Sequence, residues 1–248
     1  MKDQLAILLV VVFLVLLVFF LVRFNKPKIN FITYPEFGIE LPDNFDIHGI
    51  DVSKYQKNIA WDAVKSMKVK EIKIHFSFIK ATEGENLVDT KFANNWAQAK
   101  KSQVARGAYH FFRANKDVDK QVAIFIKTVK LDVGDLPPVL DIETLDNTAP
   151  EKIRAKAKIW LDKIEAYYGV KPIIYTNAEF YNKYLGSDFD DYPLWVAHYF
   201  EQHRPRIQRN WHFWQHSDRG NVNGIDSKVD FNVFNGDSTD FENLLIKK

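Results

Sequence analysis

The sequence places two carboxylates two residues apart, Asp141 and Glu143, at the end of the apolar run 137–140. In an extended strand these two side chains lie on one face, with Cα atoms roughly 6 to 7 Å apart. Like charges on one face repel, so packing explains the pair poorly. Acid/base chemistry explains it better, because close carboxylates separate each other's pKa and one can hold a proton near neutral pH. The structural alternative is an ion pair of one acid with a Lys or Arg across the sheet.

Strand-like runs recur along the chain after residue 45, and helical patterns separate the first of them. The predicted strands are 47–52, 72–80, 106–112, 138–143, 172–176, 194–199, 212–216 and 229–233. The predicted helices are 61–67, 90–101, 118–131, 153–168 and the short 179–185. Alternation of strand and helix predicts an α/β fold with a parallel sheet. We therefore predict a TIM-like barrel that begins as β/α units and ends in bare strands.

The active site of such a barrel lies at the C-terminal ends of its strands. Polar and aromatic residues collect at these ends in this sequence. Aromatic faces beside carboxylates suit a sugar polymer, whose apolar ring faces stack while its hydroxyls bond to polar groups. The predicted substrate-binding residues are Lys80, Tyr109, Tyr175, Trp195, Tyr199, Trp214 and Gln215. For Tyr175, Trp195 and Trp214 the alternative is an ordinary place in the barrel core.

An uninterrupted apolar run covers residues 5–22 and reaches the roughly 18 residues that can cross a bilayer. No small-residue cleavage site follows it, so an uncleaved anchor is expected. We predict a transmembrane signal anchor at 1–24, a tether or strap at 25–45 and one catalytic barrel at 46–248. More positive charge follows the run than precedes it, which by itself favours a cytoplasmic domain. A sugar polymer outside the cell as substrate requires the opposite, and we expect the domain to face the periplasm or cell wall.

Composition excludes several classes of protein. The chain has no cysteine, which rules out a disulfide scaffold and cysteine-ligated zinc. Its formal net charge of +2 gives no reason to expect a nucleic-acid partner.

Short motifs in chain order resemble one known family. They are Gly49-Ile50-Asp51-Val52-Ser53 with Tyr55-Gln56, Phe78-Ile79-Lys80-Ala81-Thr82-Glu83-Gly84, Gly107-Ala108-Tyr109-His110-Phe111, Asp141-x-Glu143, Ile174-Tyr175-Thr176, Leu194-Trp195-Val196-Ala197 and Val229-Asp230-Phe231-Asn232. Over about residues 46–234 they are similar to family 25 of the glycoside hydrolases, the Chalaropsis-type lysozymes or N-acetylmuramidases. One departure is His216, where many members have Tyr or another residue.

The resemblance implies a (β/α)5(β)3 barrel and cleavage of the β-1,4 bond from N-acetylmuramic acid to N-acetylglucosamine in peptidoglycan. The matching acids are Asp51, Asp141, Glu143 and Asp230. We assign Glu143 as the acid and Asp141 as the group that orients the substrate's own N-acetyl nucleophile. Asp51 and Asp230 are expected to hold this pair and the sugar. A monomer without metal or cofactor is expected.

Two other classes of protein remain open. A metal-dependent barrel hydrolase could use Asp51, His110, Asp141 and His216, although these histidines lack a recognised ligand spacing. A non-catalytic glycan-binding barrel would keep the aromatic residues and lose the acids. Because all four acids are present, the sequence favours the hydrolase.

Overall fold

Eight strands close into a barrel in the computed structural model, which describes residues 4, 12–14, 29–199, 201 and 203–247. Neighbours along the chain are also neighbours in the barrel, and the last strand pairs with the first. The strands are β1 (His48–Val52), β2 (Ile72–Glu83), β3 (Ala105–Phe111), β4 (Val139–Asp141), β5 (Ile173–Asn177), β6 (Leu194–Ala197), β7 (Phe213–Gly220) and β8 (Val229–Phe234). The prediction of an α/β fold built on eight barrel strands is confirmed.

The direction of β8 differs from the parallel sheet that the sequence predicts. Strands β1 to β7 are parallel, whereas β8 is antiparallel to both β7 and β1. The reason is the short connection 221–228, since a parallel crossover needs about a dozen residues or more. As a result the beginning of β8, rather than its end, lies at the mouth of the barrel.

Helices cover the outside of the first half of the barrel. They are α1 (Trp61–Ser66), α2 (Phe92–Lys101), α3 (Val118–Thr128) and α4 (Pro150–Tyr168). Strand β5 is followed by short helical turns over Ala178–Phe180, Tyr181–Leu185 and Ser187–Phe189, whereas β6 and β7 lead into segments without a helix among the described residues. A last helix, α5 (Ser238–Leu244), follows β8 and was not predicted.

The ends of α4 follow the capping rules that predicted them. Pro150 occupies the first turn, where its missing N–H costs no hydrogen bond. Gly169 ends the helix in the left-handed conformation with φ 71°, which glycine adopts without a Cβ clash. Between these ends one apolar stripe faces the barrel: Ile153, Ala157, Trp160, Leu161 and Ile164.

Aromatic rings fill the barrel interior and form a rigid base beneath the mouth. Phe78 stacks on Trp195 with ring centroids 4.2 Å apart, and Phe76 lies edge-on to Phe78 at 5.6 Å. Space for these rings comes from glycine, because a Cβ on Gly49 would lie 2.5 Å from the Phe76 ring and one on Gly107 would lie 2.6 Å from Phe78. The interior is therefore a packed core with no room for a ligand among its rings.

An N-terminal β-hairpin, formed by Phe31–Tyr34 and Ile39–Pro42, packs on the outer face of the last two strands. Phe31 contacts Trp214 at 5.9 Å between centroids, and Phe37 contacts Phe231 at 5.3 Å. The part of segment 25–45 that is described thus forms a strap held against the barrel.

The predicted anchor at residues 5–22 lies almost wholly outside the described residues. Within the described part of the chain, no helix combines the length and the apolar character that a membrane span needs.

Candidate active site

A cavity of about 290 Å³ opens at the mouth of the barrel. Every residue that the sequence predicts for the site lines this cavity, except Trp214. The predicted residues that line it are Asp51, Lys80, Tyr109, Asp141, Glu143, Tyr175, Trp195, Tyr199, Gln215 and Asp230. Val52, Ser53, Tyr55, Gln56 and Phe111 line it as well.

Trp214 is the predicted substrate-binding residue that lies elsewhere. Successive side chains of a strand point to opposite faces, so Gln215 and Trp214 of β7 cannot both face the cavity. Gln215 faces inward, and Trp214 faces outward, where it is fully buried against the hairpin and donates its indole N–H to the carbonyl of His198 at 3.0 Å. Trp214 therefore packs against the strap on the outer face of the barrel and does not line the catalytic cavity.

Asp141 and Glu143 share the inward face at the end of β4. The strand ladder continues past Asp141, because its carbonyl accepts the N–H of Phe112 at 2.8 Å and the N–H of Ile142 donates to Tyr175 at 2.9 Å. Ile142 points outward and is buried in the core, which leaves its two acidic neighbours facing the cavity. The side chains are thus placed as the alternation of a strand predicts.

The environment of this pair raises the pKa of both acids. Burial raises the pKa of Asp141 well above its usual range, and the negative charge of Glu143 raises it further. Burial also raises the pKa of Glu143, and the charge of Asp51 adds to the shift. Asp141 is 5% exposed, and its Oδ1 atom has no hydrogen-bond partner among the described residues. That oxygen can therefore accept a hydrogen bond from a bound ligand.

Lys80 supplies positive charge beside the pair without neutralising either acid. Its ammonium forms an ion pair with Glu83 at 2.7 Å, and Arg113 binds the other oxygen of Glu83. At longer range Lys80 lowers the pKa of both Asp141 and Glu143, opposing the effect of burial. The structural alternative for the Asp-x-Glu motif, a direct ion pair, is therefore not what this arrangement shows.

Asp51 and Asp230 face each other across the seam where β8 meets β1. They are register partners, and their carboxyl groups hydrogen-bond to each other. The Oδ2 atom of Asp51 also accepts the side-chain amides of Gln215 at 2.7 Å and Asn232 at 2.8 Å. These amides stabilise the ionised form of Asp51, so the proton that the two carboxyls share resides on Asp230. Burial is the main cause of the raised pKa of each acid.

Two of the predicted aromatic residues, Tyr175 and Tyr199, hold Gln215 in place. The hydroxyls of Tyr175 and Tyr199 donate to its Oε1 atom at 2.7 and 2.6 Å. Trp195 is 1% exposed and donates its indole N–H to Asn232 at 2.7 Å. The two tyrosine hydrogen bonds fix the amide of Gln215 so that its N–H points at Asp51. Residue type alone does not reveal this role of the tyrosines.

Tyr55 also lines the cavity, although it is not among the predicted substrate-binding residues. It lies in the 3-10 turn Lys54–Gln56, which Ser53 and Gln56 cap reciprocally directly after β1. Its side chain is 72% exposed, so the ring presents a large face to a ligand entering the cavity. The sequence signal that could have found it is its position just past a strand end.

The described residues contain no group of three or more His, Cys, Asp or Glu side chains able to hold a metal ion. His110, one member of the proposed metal set, bonds instead to Thr82 at 2.7 Å and Gln121 at 3.0 Å behind the cavity. His216 faces the outside of the barrel and lines a different cavity.

Comparison with known proteins agrees with this geometry. The family described as glycosyl hydrolases family 25 matches residues 50–225. The chain belongs to this family and is a glycoside hydrolase.

Relatives of the chain support the same assignment. It is 34% identical to Lysozyme M1 of Streptomyces globisporus over 78% of this chain and 69% of that protein. Identity to protein YegX of Escherichia coli K12 is 45%, over 81% of this chain and 74% of that one. A family 25 glycosyl hydrolase of Bacillus anthracis has a similar structure, with TM-score 0.76 and 31% identity over 87% of this chain and 100% of the other.

Substitution of Asp230 by Asn is expected to stabilise this family 25 barrel increasingly as pH rises. An unfolded Asp ionises near pH 3.9, whereas Asp230 in the folded chain holds its proton until about pH 9. Its contribution to stability is therefore complete below about pH 4 and declines as pH rises through that window. Asparagine does not titrate and can still donate to Asp51.

The measurement is the melting temperature of wild type and Asp230→Asn from pH 4 to pH 9. The difference between them should grow with pH. Asp188→Asn, which changes an exposed acid on the outer Ser187–Phe189 turn, should follow wild type throughout. Parallel curves for all three proteins would contradict the assignment of the proton to Asp230.

Proposed function

We propose that the protein is a muramidase that hydrolyses the β-1,4 bond between N-acetylmuramic acid and N-acetylglucosamine in peptidoglycan. The observation that carries the proposal is the pair of a buried Asp141 and a half-buried Glu143 in a cavity at the mouth of a family 25 barrel, each with a raised pKa. Similarity to Lysozyme M1 supports the choice of polymer.

Glu143 is the general acid of the proposed mechanism. Its carboxyl protonates the glycosidic oxygen as the bond to the leaving sugar breaks, and the resulting carboxylate later takes a proton from the attacking water. A raised pKa suits this role because the acid must carry a proton near neutral pH.

Asp141 assists a nucleophile that belongs to the substrate. Its unpaired Oδ1 accepts the N–H of the acetamido group, which directs the acetamido oxygen toward the anomeric carbon. When substrate is bound, the proton of the pair lies on Glu143. The acetamido N–H and the positive charge that develops on the cyclised group stabilise ionised Asp141 against the effect of burial, which favours its protonated form in the empty cavity. This substrate-assisted route is a known exception to the scheme with two catalytic carboxylates on opposite faces of the sugar.

Asp51 and Asp230 support the reacting groups in this proposal. Asp51, fixed by Gln215 and Asn232, supplies charge that helps keep Glu143 protonated. Asp230 is the second candidate for stabilising the developing positive charge, because it lines the same cavity and shares one proton, and so one negative charge, with Asp51.

Mass spectrometry of fragments released from purified peptidoglycan tests the reaction. New reducing ends on muramic acid are expected, and reducing ends on glucosamine or released peptides would contradict the proposal. Proton NMR of the first product tests the route, because attack by the acetamido group retains the β configuration. First appearance of the α anomer would require direct attack by water.

We also propose that residues 5–22 anchor the protein in the membrane with the barrel facing the cell wall. The support is the length of the apolar run and the location of the polymer. The full chain should sediment with membranes, and a chain that begins at Asn25 should be soluble and active. Protease added to intact spheroplasts should digest the barrel, and protection until the membrane is broken would contradict this topology.

A further inference from the structure

A second cavity, of about 620 Å³, lies outside the barrel between the N-terminal hairpin and β7. It is larger than the catalytic cavity, and none of the proposed catalytic groups line it. Residues 29–31 and 38–40 of the hairpin form one wall. The other wall comes from β7 and from the loop after β6, through His216, Ser217, Arg219, Glu201 and His203.

The two cavities lie on opposite faces of β7. Gln215 faces the catalytic cavity, and the next residue, His216, lines the second cavity. Asp218, one residue beyond Ser217, is close enough for its charge to raise the pKa of Asp230. The second cavity therefore lies across β7 from the catalytic cavity.

His216 provides an unused pair of hydrogen-bonding atoms in this second cavity. The side chain is 4% exposed, and neither ring nitrogen has a hydrogen-bond partner among the described residues. Burial lowers the pKa of His216 to about 3, so at neutral pH the uncharged ring has one donor and one acceptor. Buried polar atoms are nearly always paired. Both nitrogens are closed to solvent, so a ligand that offers an acceptor and a donor pairs with them by turning the ring toward the cavity that it lines.

The rest of the lining has the character of a peptide site more than a sugar site. Glu40 and Arg219 are exposed lining charges of opposite sign, Arg219 in an ion pair with Asp218 at 3.4 Å, and Asn30 and Ser217 add neutral polar groups. Sugar sites rely on several aromatic faces. Phe31 is the one Phe, Tyr or Trp among the described lining residues.

We propose that the second cavity binds the peptide of peptidoglycan while the glycan strand occupies the catalytic cavity. A backbone amide of the peptide pairs with the imidazole of His216, a carboxylate lies toward Arg219, and an amine lies toward Glu40. This inference rests on the proposed muramidase function, because only that substrate carries such a peptide beside the scissile bond.

Binding of a free peptide tests the cavity without any turnover. The probe is the tripeptide L-alanyl-γ-D-glutamyl-meso-diaminopimelic acid, titrated into the full chain in detergent and followed by calorimetry. His216→Leu keeps the bulk but removes both nitrogens, and it should weaken binding about tenfold or more. His216→Gln restores a donor and an acceptor and should recover part of the affinity. His75→Leu, which changes a histidine of β2 outside this lining, should bind as wild type does.

Absence of tripeptide binding to the wild type would overturn the proposal. Equal binding by a His216→Leu protein with wild-type near-UV circular dichroism would do so as well. Binding of a chitooligosaccharide to the second cavity in place of the tripeptide would instead assign the cavity to sugar.

The ratio of hydrolysis rates on peptide-bearing and amidase-stripped glycan gives a second, independent readout. Wild type and His75→Leu should prefer the peptide-bearing glycan, and the ratio should fall toward one in His216→Leu. An equal ratio in wild type and His216→Leu would contradict peptide recognition. Inactivity on both glycans would refute the muramidase function, and the calorimetric result would still decide what the second cavity binds.

Discussion

Replacing Glu143 by Gln is expected to lower the rate of peptidoglycan hydrolysis by about a hundred- to ten-thousandfold, the usual contribution of a general acid. The amide keeps the shape of the side chain but has no proton of suitable acidity for the glycosidic oxygen. Binding of the glycan should persist, because the rest of the cavity is unchanged. The measurement is the rate of release of reducing ends, with affinity for a chitooligosaccharide measured in parallel.

The matched control for this substitution is Glu71→Gln. Glu71 is an exposed glutamate immediately before β2, at the end of the strand opposite the mouth, so its neutralisation should leave the rate unchanged. If Glu143→Gln keeps more than about a tenth of the wild-type rate, Glu143 is not the acid. In that case the raised pKa of Glu143 reflects only burial beside other carboxylates.

Substitution of Asp141 by Asn is expected to reduce the rate about a hundredfold or more, which is typical for the loss of one group that stabilises transition-state charge. Asparagine can still accept the acetamido N–H through its oxygen. It carries no negative charge, however, and cannot stabilise the cationic cyclised acetamido group. A thiazoline that mimics this cyclised state should bind wild type more tightly than Asp141→Asn.

The pH profile of Asp141→Asn carries a second expected result. Repulsion between two carboxylates is mutual, and Asp141 is ionised in the proposed complex with substrate, so its removal should lower the pKa of Glu143 there. The acid must be protonated to act, so activity should be lost at lower pH and the alkaline limb of kcat, which reports the complex, should move down. An alkaline limb at the wild-type position would show that the two carboxylates are not coupled. Asp188→Asn is again the control.

The two substitutions distinguish the roles of the pair when they are compared. Loss of the acid should be partly relieved by substrates whose leaving group needs no proton, such as nitrophenyl glycosides. Loss of Asp141 should not be relieved in this way, because formation of the cyclised intermediate is still required. Equal relief of both variants would contradict the separate roles assigned to Glu143 and Asp141.

Several features of the protein follow from the sequence alone because they depend on neighbouring residues. Short strand-like runs predict the barrel strands. Because side chains two apart on a strand share a face, their spacing places Asp141 and Glu143 together. Capping by Pro150 and Gly169 sets the ends of α4 for equally local reasons. Such features need no knowledge of distant parts of the chain.

Strand faces and directions were harder to predict. An aromatic residue beside a polar one, as in Trp214 and Gln215, does not show which side chain points into the barrel. The N-terminal hairpin decides this, because it covers the outer face of β7 and buries Trp214. The antiparallel direction of β8 follows from the extension of β7 to Gly220, which leaves only the connection 221–228, and it brings Asp230 to the mouth from the opposite end of its strand.

The location of protons is decided by tertiary structure alone. Asp51 is stabilised by Asn232, 181 residues away in sequence, and Gln215 is held by one tyrosine of β5 and one from the loop after β6. Burial and contacts of this kind set the pKa of each acid, and neither is encoded by local spacing. Closure of the barrel and packing of the hairpin also create the two cavities on either side of β7. The sequence determines which groups can react, and the three-dimensional arrangement determines which of them hold a proton and what they face, because electric fields and solvent exclusion depend on distance in space.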